Sequence, residues 1–378
     1  MNVVMEWNET ETHQQKSNIS LGLYASIPPI FMIVGIPGNL VSMYIWSRRM
    51  PMTPGSTSLF LVAMCITDTY VLTHGCLRLW LLGLSKQLID VRIRLGCRIP
   101  LLLFTFTTDL SSWIIILLCV ERVISTRFPI RFKSICHLRN GLIALIGLVV
   151  CLMGINAHFL WTVQRKNNEC VPVNAFSNFM YSWQFIDASI YSFIPLACIL
   201  ALNTCIIIRL RRTAKCVRTG NRVDKGTVKL HSVDIRGGFG VRAREQRSAR
   251  LLRTVLCMVI CHFTFTMPIV IYYLFDAHFC ESQDEKSVYL HCDIVETVTT
   301  LLQLANHVTH FFIYSFTSTV FLSDLKKLIP QKCCLHKPHA GNRDRMPNEG
   351  TWNENQFGHI VTGNTAIDSS VNNNRSMR

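Results

Sequence analysis

Charge is scarce in this chain. Only 16% of its 378 residues are Asp, Glu, Lys or Arg, against about 25% in soluble domains. Acids are scarcer still, 23 against 38 basic residues. With 49% hydrophobic residues and a mean hydropathy of +0.29, this composition excludes a disordered chain. It also argues against a nucleic-acid binder, despite the net charge of +15. Residues 1–20 lack an apolar run, so no cleaved signal peptide is expected. Strand-like alternation with regular turns is missing, which speaks against a membrane barrel, and no internal repeat is visible. There is no metalloprotease helix motif, phosphate loop or nucleophile elbow. The run Gly237-Gly238-Phe239-Gly240 precedes no strand–helix unit and reads as loop. The chain is therefore expected to catalyse no bond chemistry and to carry no cofactor.

What the chain has is seven long apolar blocks: Leu21–Trp46, Ser56–Leu77, Ile99–Val120, Gly141–Gln164, Trp183–Ile208, Thr254–Phe275 and Thr297–Leu322. Each has about the 20 residues needed to cross a bilayer. Within them lie the acids Asp68, Asp109 and Asp187 and no Lys or Arg. Seven such blocks in one chain predict an all-α membrane bundle. The division is then an outer segment 1–20, a membrane domain 21–330 and a cytoplasmic tail 331–378, Asn/Gly/Ser-rich and expected to be disordered.

The basic residues set the orientation. With the N-terminus outside, 29 Lys and Arg face the cytoplasm and 9 face outward. The +15 is thus a cytoplasmic skirt, suited to anionic lipid or to a docking partner. Asn8-Glu9-Thr10 and Asn18-Ile19-Ser20 are glycosylation sequons on the outer side. The third inner loop, about Arg212–Arg247, is glycine-rich and reads as mobile. Of the 16 cysteines, only Cys97, Cys170, Cys280 and Cys292 belong to the outer side, and four cysteines allow three connectivities. His278, Cys280, His291 and Cys292 also form a metal-like set, but oxidising surroundings favour a disulfide over zinc.

Landmarks recur inside the blocks. The first holds Gly38-Asn39 and the second Asp68. The third follows Cys97 and ends in Glu121-Arg122-Val123, with Pro129 seven residues past the arginine. The fifth holds Pro195, the sixth Pro268, and the seventh Tyr314 followed by Phe321. In this order and spacing the chain, from about Leu21 to Cys334, resembles the rhodopsin-like (class A) G-protein-coupled receptors. It departs from them in several places. Glu-Arg-Val replaces Asp/Glu-Arg-Tyr; His310-Phe311-Phe312-Ile313-Tyr314 replaces Asn-Pro-x-x-Tyr; Phe265-Thr266-Met267-Pro268 replaces Cys-Trp-x-Pro. The fourth helix lacks a central Trp, and Asn203 stands where a Tyr is usual. Loss of the seventh-helix Pro and sixth-helix Trp is similar to divergent invertebrate neuropeptide receptors of the FMRFamide-receptor-like kind. Opsins are set aside because the seventh block has no Lys. Amine receptors are set aside because Phe104 stands where their third-helix Asp would be.

The resemblance implies a plasma-membrane receptor that binds an extracellular ligand and activates a heterotrimeric G protein. A small-solute transporter or channel, or a receptor-like chain that no longer signals, are the alternatives. It implies a coupling switch of Glu121, Arg122 and Tyr314, with the usual sixth-helix acid replaced by Ser248 and the resting lock correspondingly weak. It also implies a Cys97–Cys170 disulfide, leaving Cys280 to pair with Cys292. The outward cavity would be lined by Arg78, Trp80, Phe104, Thr105, Thr108, Asp187, Tyr191, Tyr272, Tyr273, Glu296 and Thr300, a mixture that suits a peptide. Six acids between Asp276 and Glu296 against Lys286 would favour a basic one. In related receptors the second-helix acid and its polar shell hold sodium. Here Asp68, Ser111 and Asn306 match that site, while His310 replaces its Asn and His307 lies one turn away. The expectation is that His310 pairs with Asp68 in place of sodium; the alternative is a neutral His bonded to backbone or water. Beyond the seventh block, Phe321, Leu322, Leu325, Leu328 and Ile329 share one face, predicting a short helix on the inner leaflet, with Cys333 and Cys334 as palmitoylation candidates.

Overall fold

The structure is a computed structural model. It describes residues 16–52, 55–85, 97–128, 130–166, 169–223, 235–279 and 286–328, and their side chains except those of 169, 210–252, 276–287 and 289. Helix α1 spans Asn18–Arg49; α2 spans Thr57–Val71 and continues through a π-turn, Leu72–Cys76, into α3, Leu77–Ser85. Helix α4 is Arg98–Arg127, followed by the short α5, Phe132–Ile135, then α6, Leu138–Asn156, and α7, Phe159–Thr162. Strands β1, Val163–Lys166, and β2, Glu169–Pro172, lead to α8, Ser177–Ala188. A second π-turn, Ser189–Phe193, joins α8 to α9, Ile194–Val223. Helices α10, Ile235–Phe279, α11, Lys286–Thr317, and α12, Thr319–Leu328, complete the described chain.

Among the described residues, six helices or helix pairs are long and apolar enough to cross a membrane. They correspond to the first six blocks. The seventh block lies on α11, whose apolar surface is interrupted by Gln303, Asn306, His307 and His310. These polar side chains are tolerable because they face the bundle: Asn306, His307 and His310 are all at most 1% exposed. Helix α11 packs against α1, α2 and α10, and α4 packs against α2, α6, α9 and α10, which makes α4 the central post. One contiguous core runs along it, including Ile114, Ile115, Leu118 and Cys119 with Met64, Leu152, Ile199 and Met258. Helix α6 is different. Its Leu142, Ile143, Ile146 and Val150 are exposed in the bundle, as a lipid-facing surface should be.

Small residues bring α1 close to its neighbours. A Cβ at Gly35 would stand 2.6 Å from Leu72 Cδ1, and one at Gly38 2.9 Å from Phe311 Cγ. Next to this seam, Asn39 Nδ2 donates to the carbonyl of His307 at 3.1 Å and fastens α1 to α11. The second π-turn leaves the Ile190 carbonyl available, and Trp113 Nε1 of α4 donates to it at 3.0 Å.

Three boundaries differ from those read off the hydropathy. The seventh block ran on to Leu322, but α11 ends at Thr317 and Ser318 caps a new helix, its Oγ accepting the Phe321 N–H at 3.2 Å. Phe321 and Leu322 therefore belong to α12. The glycine-rich inner loop is largely helical: α9 reaches Val223 and α10 begins at Ile235, so Gly237, Gly238 and Gly240 lie within α10. The Ala, Arg, Glu and Gln residues that follow are good helix formers and carry the helix through the glycines. The outer loop after α7 forms a two-stranded antiparallel hairpin, with Arg165 opposite Cys170. Four-residue strands are too short to declare themselves by alternation.

Candidate functional site

Three polar assemblies stand out. Near the C-terminal end of α4, Glu121 and Arg122 are 2% and 6% exposed, although the sequence places them at a helix end. Arg122 Nη2 lies 3.7 Å from Glu121 Oε2 and also donates to Thr57 Oγ1. Glu121 Oε1 in turn accepts the Thr57 backbone N–H at 3.1 Å. Ser56, which precedes α2, makes no side-chain cap, so Glu121 caps α2 from across the bundle, with its charge at the positive end of the helix. A Cβ at Gly55 would come within 2.6 Å of Glu121 Oε1, so that glycine makes the approach possible. Ser248, which stands where the family's second restraint, a sixth-helix acid, is usual, lies outside the described side chains. Thr57, unnoticed in the sequence, supplies one instead.

Beside Arg122 a small recess opens, lined by Trp46, Thr57, Leu61, Leu118, Thr254 and Met258 among others. Tyr314 sits near it, fully buried. Its ring lies 5.8 Å from those of both Trp46 and Phe321, and its hydroxyl donates to Met64 Sδ at 3.4 Å. Arg49 of α1 meets Asp324 of α12 at 2.5 Å. Burial raises the Asp324 carboxyl, but Lys327 and Arg49 together outweigh it and hold it below the usual carboxylate range.

In mid-bundle, both histidines of α11 close on Asp68 of α2. His307 Nδ1 is 2.8 Å from Oδ1 and His310 Nδ1 is 2.7 Å from Oδ2. The expected His310 pairing is present, and His307 joins it. Asn306 turns elsewhere: its Nδ2 meets His262 Nδ1 at 3.4 Å, and His262 Nε2 meets Ser112 Oγ at 3.2 Å. Ser111 is buried and makes no hydrogen bond to protein. Neither Asn306 nor Ser111 hydrogen-bonds the Asp68 carboxylate, whose partners are the two histidines. His262 carried no sequence signal beyond being a histidine in an apolar block.

At the end of the bundle opposite Arg122 the expected cavity residues divide. Tyr191 of the π-turn accepts from Gln303 Nε2 at 3.2 Å, and Asp187 lies within electrostatic reach of Asp109. Asp109 itself accepts from Asn156 Nδ2 at 2.9 Å, so the missing tryptophan of the fourth helix is matched by a polar tie. Thr105 and Thr108 spend their hydroxyls on carbonyls of their own helix. Phe104 packs on His74, with ring centroids 6.0 Å apart. Arg78, Trp80 and Tyr272 are half-buried. Tyr273 is 48% exposed over the whole residue, but it lies within electrostatic reach of Glu296, Tyr24, Lys16 and Arg78. Thr300 lies close to Tyr24 of α1.

Glu296 is already engaged. Lys16 Nζ lies 2.6 Å from Glu296 Oε2 and 2.9 Å from Asp293 Oδ1. Asp293 Oδ2 also accepts from the Ser17 N–H at 2.9 Å and the Ser20 hydroxyl at 2.6 Å. Ser17 caps α1 by accepting from Ser20 N, so one knot both starts α1 and ties it to α11. The same knot buries Ser20 of the second sequon, while Asn18 is exposed.

Cys97 and Cys170 are bonded, joining α4 to the hairpin across 73 residues. Cys292 is also disulfide-bonded. Cys280, its expected partner, lies outside the described residues, as do Asn8, Cys333, Cys334, the acids Glu281, Asp284 and Glu285, and the side chains of Asp276 and Lys286. Among the described residues no group of three or more His, Cys, Asp and Glu side chains is placed to hold a metal ion.

Compared with known families, residues 38–314 match the one described as 7 transmembrane receptor (rhodopsin family). No curated protein matches the chain.

Proposed function

The chain belongs to the rhodopsin family of seven-transmembrane receptors, and from that premise we propose that it binds an extracellular peptide and activates a heterotrimeric G protein. Members of this family are signalling receptors, not enzymes, and the chain is a multi-pass membrane protein. On this reading it sits in the plasma membrane with its N-terminus outside, as the 29 basic residues on the opposite side favour. Those residues also suit anionic lipid at the inner leaflet.

The observation that carries the coupling half is the catch on Arg122. A guanidinium is held by Glu121 and Thr57 beside a recess between α1, α2, α4, α10 and the start of α12. A buried, tethered arginine at a helix end is a two-state element: outward movement of α10 would widen the recess and let the side chain meet a partner. Tyr314, packed between Trp46 and Phe321, would move with it.

The ligand half rests on the outer residues. Arg78, Trp80, Phe104, Asp187, Tyr191, Tyr272, Glu296 and Thr300 combine aromatic and charged groups, as peptide recognition requires. A cationic group of the ligand that sought Glu296 would compete with Lys16. The test is a screen of amidated peptides on cells expressing the chain, followed by nucleotide exchange on purified G protein with any active peptide. Stimulated exchange is expected. Solute flux in vesicles without exchange would instead support a transporter, and binding without exchange a receptor that no longer signals.

A further inference from the structure

Asp68 is 0% exposed at the centre of the bundle, and both of its oxygens are taken by imidazole nitrogens. An ionised carboxylate only accepts hydrogen bonds, so each Nδ1 must carry a proton. Two neutral histidines would satisfy the hydrogen bonds but leave a net charge of −1 in the apolar interior, where an uncompensated charge is costly. No arginine or lysine is there to offset it, because the seven apolar blocks contain none.

The remaining titratable groups around the carboxylate do not supply a positive charge. Cys65 and Tyr314 interact electrostatically with Asp68 from α2 and α11, and both are uncharged acids when protonated. His262 approaches from α10, but Asn306 Nδ2 donates to its Nδ1 and Ser112 stands at its Nε2. A neutral ring with its proton on Nε2 satisfies both contacts. From α4 the hydroxyl of Ser112 meets His262, and from α1 the amide of Asn39 meets the His307 carbonyl; both groups are uncharged. One extra proton on the histidine pair makes the assembly neutral and turns one contact into a charge-assisted bond of 2.7–2.8 Å.

We propose that Asp68, His307 and His310 form a proton-binding site in which the histidine pair holds the counter-charge of Asp68 and excludes a monovalent metal cation. A metal cation at the carboxylate would add a second positive charge to a buried site that the extra proton already makes neutral, so proton and cation compete for the same counter-charge role. Because Asp68 is on α2 and the histidines on α11, the bound proton clamps those helices together. His307 has a second link through its carbonyl to Asn39 of α1, so loss of the proton loosens a three-helix seam. The pairing uses i, i+3 spacing on one helix face, which puts both rings within reach of one acid.

The test needs no ligand and no G protein. The purified full-length receptor is unfolded thermally in sodium chloride and, at equal ionic strength, in choline chloride, from pH 5.5 to 8. At pH 6.5 the two salts are expected to give the same Tm within about 1 °C. Above about pH 6.5 an unfolded histidine is mostly neutral, so the native site holds the additional proton and Tm falls as pH rises. One linked proton corresponds to a slope of about 2 °C per pH unit for a chain of this size. The double variant His307→Asn/His310→Asn should lose that slope and gain stabilisation by sodium. A wild-type receptor stabilised by sodium at pH 6.5, or one with a Tm flat across pH 6.5–8, would overturn the proposal. So would a slope that persists in the double variant. If that variant does not fold, the wild-type comparison of salts and pH decides by itself.

Discussion

Lys16 reaches Glu296 at 2.6 Å across 280 residues of chain. A residue two positions before α1 is thereby fastened to the N-terminal half of α11. Burial lowers the Lys16 ammonium, but Glu296 and Asp293 more than reverse this and raise it above the ordinary lysine range. Burial likewise raises Asp293, yet hydrogen bonds from Ser17, Ser20 and Lys16 leave it below the ordinary carboxylate range.

The stability of this knot follows from those directions. A depressed Asp293 stabilises the fold above its unfolded value, near pH 4, and that contribution is lost as pH falls through the native one. A raised Lys16 contributes below about pH 10 and ceases to do so as pH rises through its native value. The knot should therefore be fully formed between about pH 4 and pH 10. Asp293→Asn, which keeps the shape but not the charge, should cost about 1–3 kcal/mol, read as a lower Tm at pH 7. An unchanged Tm would mean the knot is ornamental.

At the C-terminal end of α4, Thr57 should act as part of the resting catch. Thr57→Val removes the hydroxyl that accepts from Arg122 but keeps the backbone N–H that Glu121 caps. Losing one hydrogen bond to a charged group, about 1.5 kcal/mol, would shift the resting equilibrium roughly tenfold. Ligand-independent nucleotide exchange should rise accordingly, and Thr57→Ser should stay at the wild-type level. Equal basal rates in all three proteins would remove Thr57 from the mechanism.

Arg122 itself should separate binding from coupling. In Arg122→Ala, ligand binding should remain measurable while stimulated exchange falls to background. Full signalling by this variant would place the switch elsewhere.

The Cys97–Cys170 bond closes a loop of 73 residues, for which chain entropy alone gives about 4 kcal/mol. Cys97→Ser or Cys170→Ser should sharply reduce surface expression, measured by antibody labelling of intact cells. Cys280→Ser, which on the expected Cys280–Cys292 pairing opens a much shorter loop, should cost less. Equal surface levels in the Cys97 and Cys280 variants would contradict the ordering.

Sequence alone determined the membrane architecture, because crossing a bilayer is a property of contiguous residues: lipid offers no hydrogen bonds, so about 20 apolar residues must form a helix wherever they occur. The acids and histidines inside those blocks were conspicuous for the same reason. That His310 would meet Asp68 could be expected from their depths and from the resemblance to known receptors. That His307 would take the other oxygen depended on the rotation of α11 about its axis. Tertiary structure alone decided the rest. Thr57 meets Arg122, Asn156 meets Asp109 and Lys16 captures Glu296 because helix rotation and relative depth bring together residues 65, 47 and 280 positions apart. Hydropathy averages over a helix and carries neither quantity. Side-chain packing between helices sets both, and with them the partner each buried charge receives.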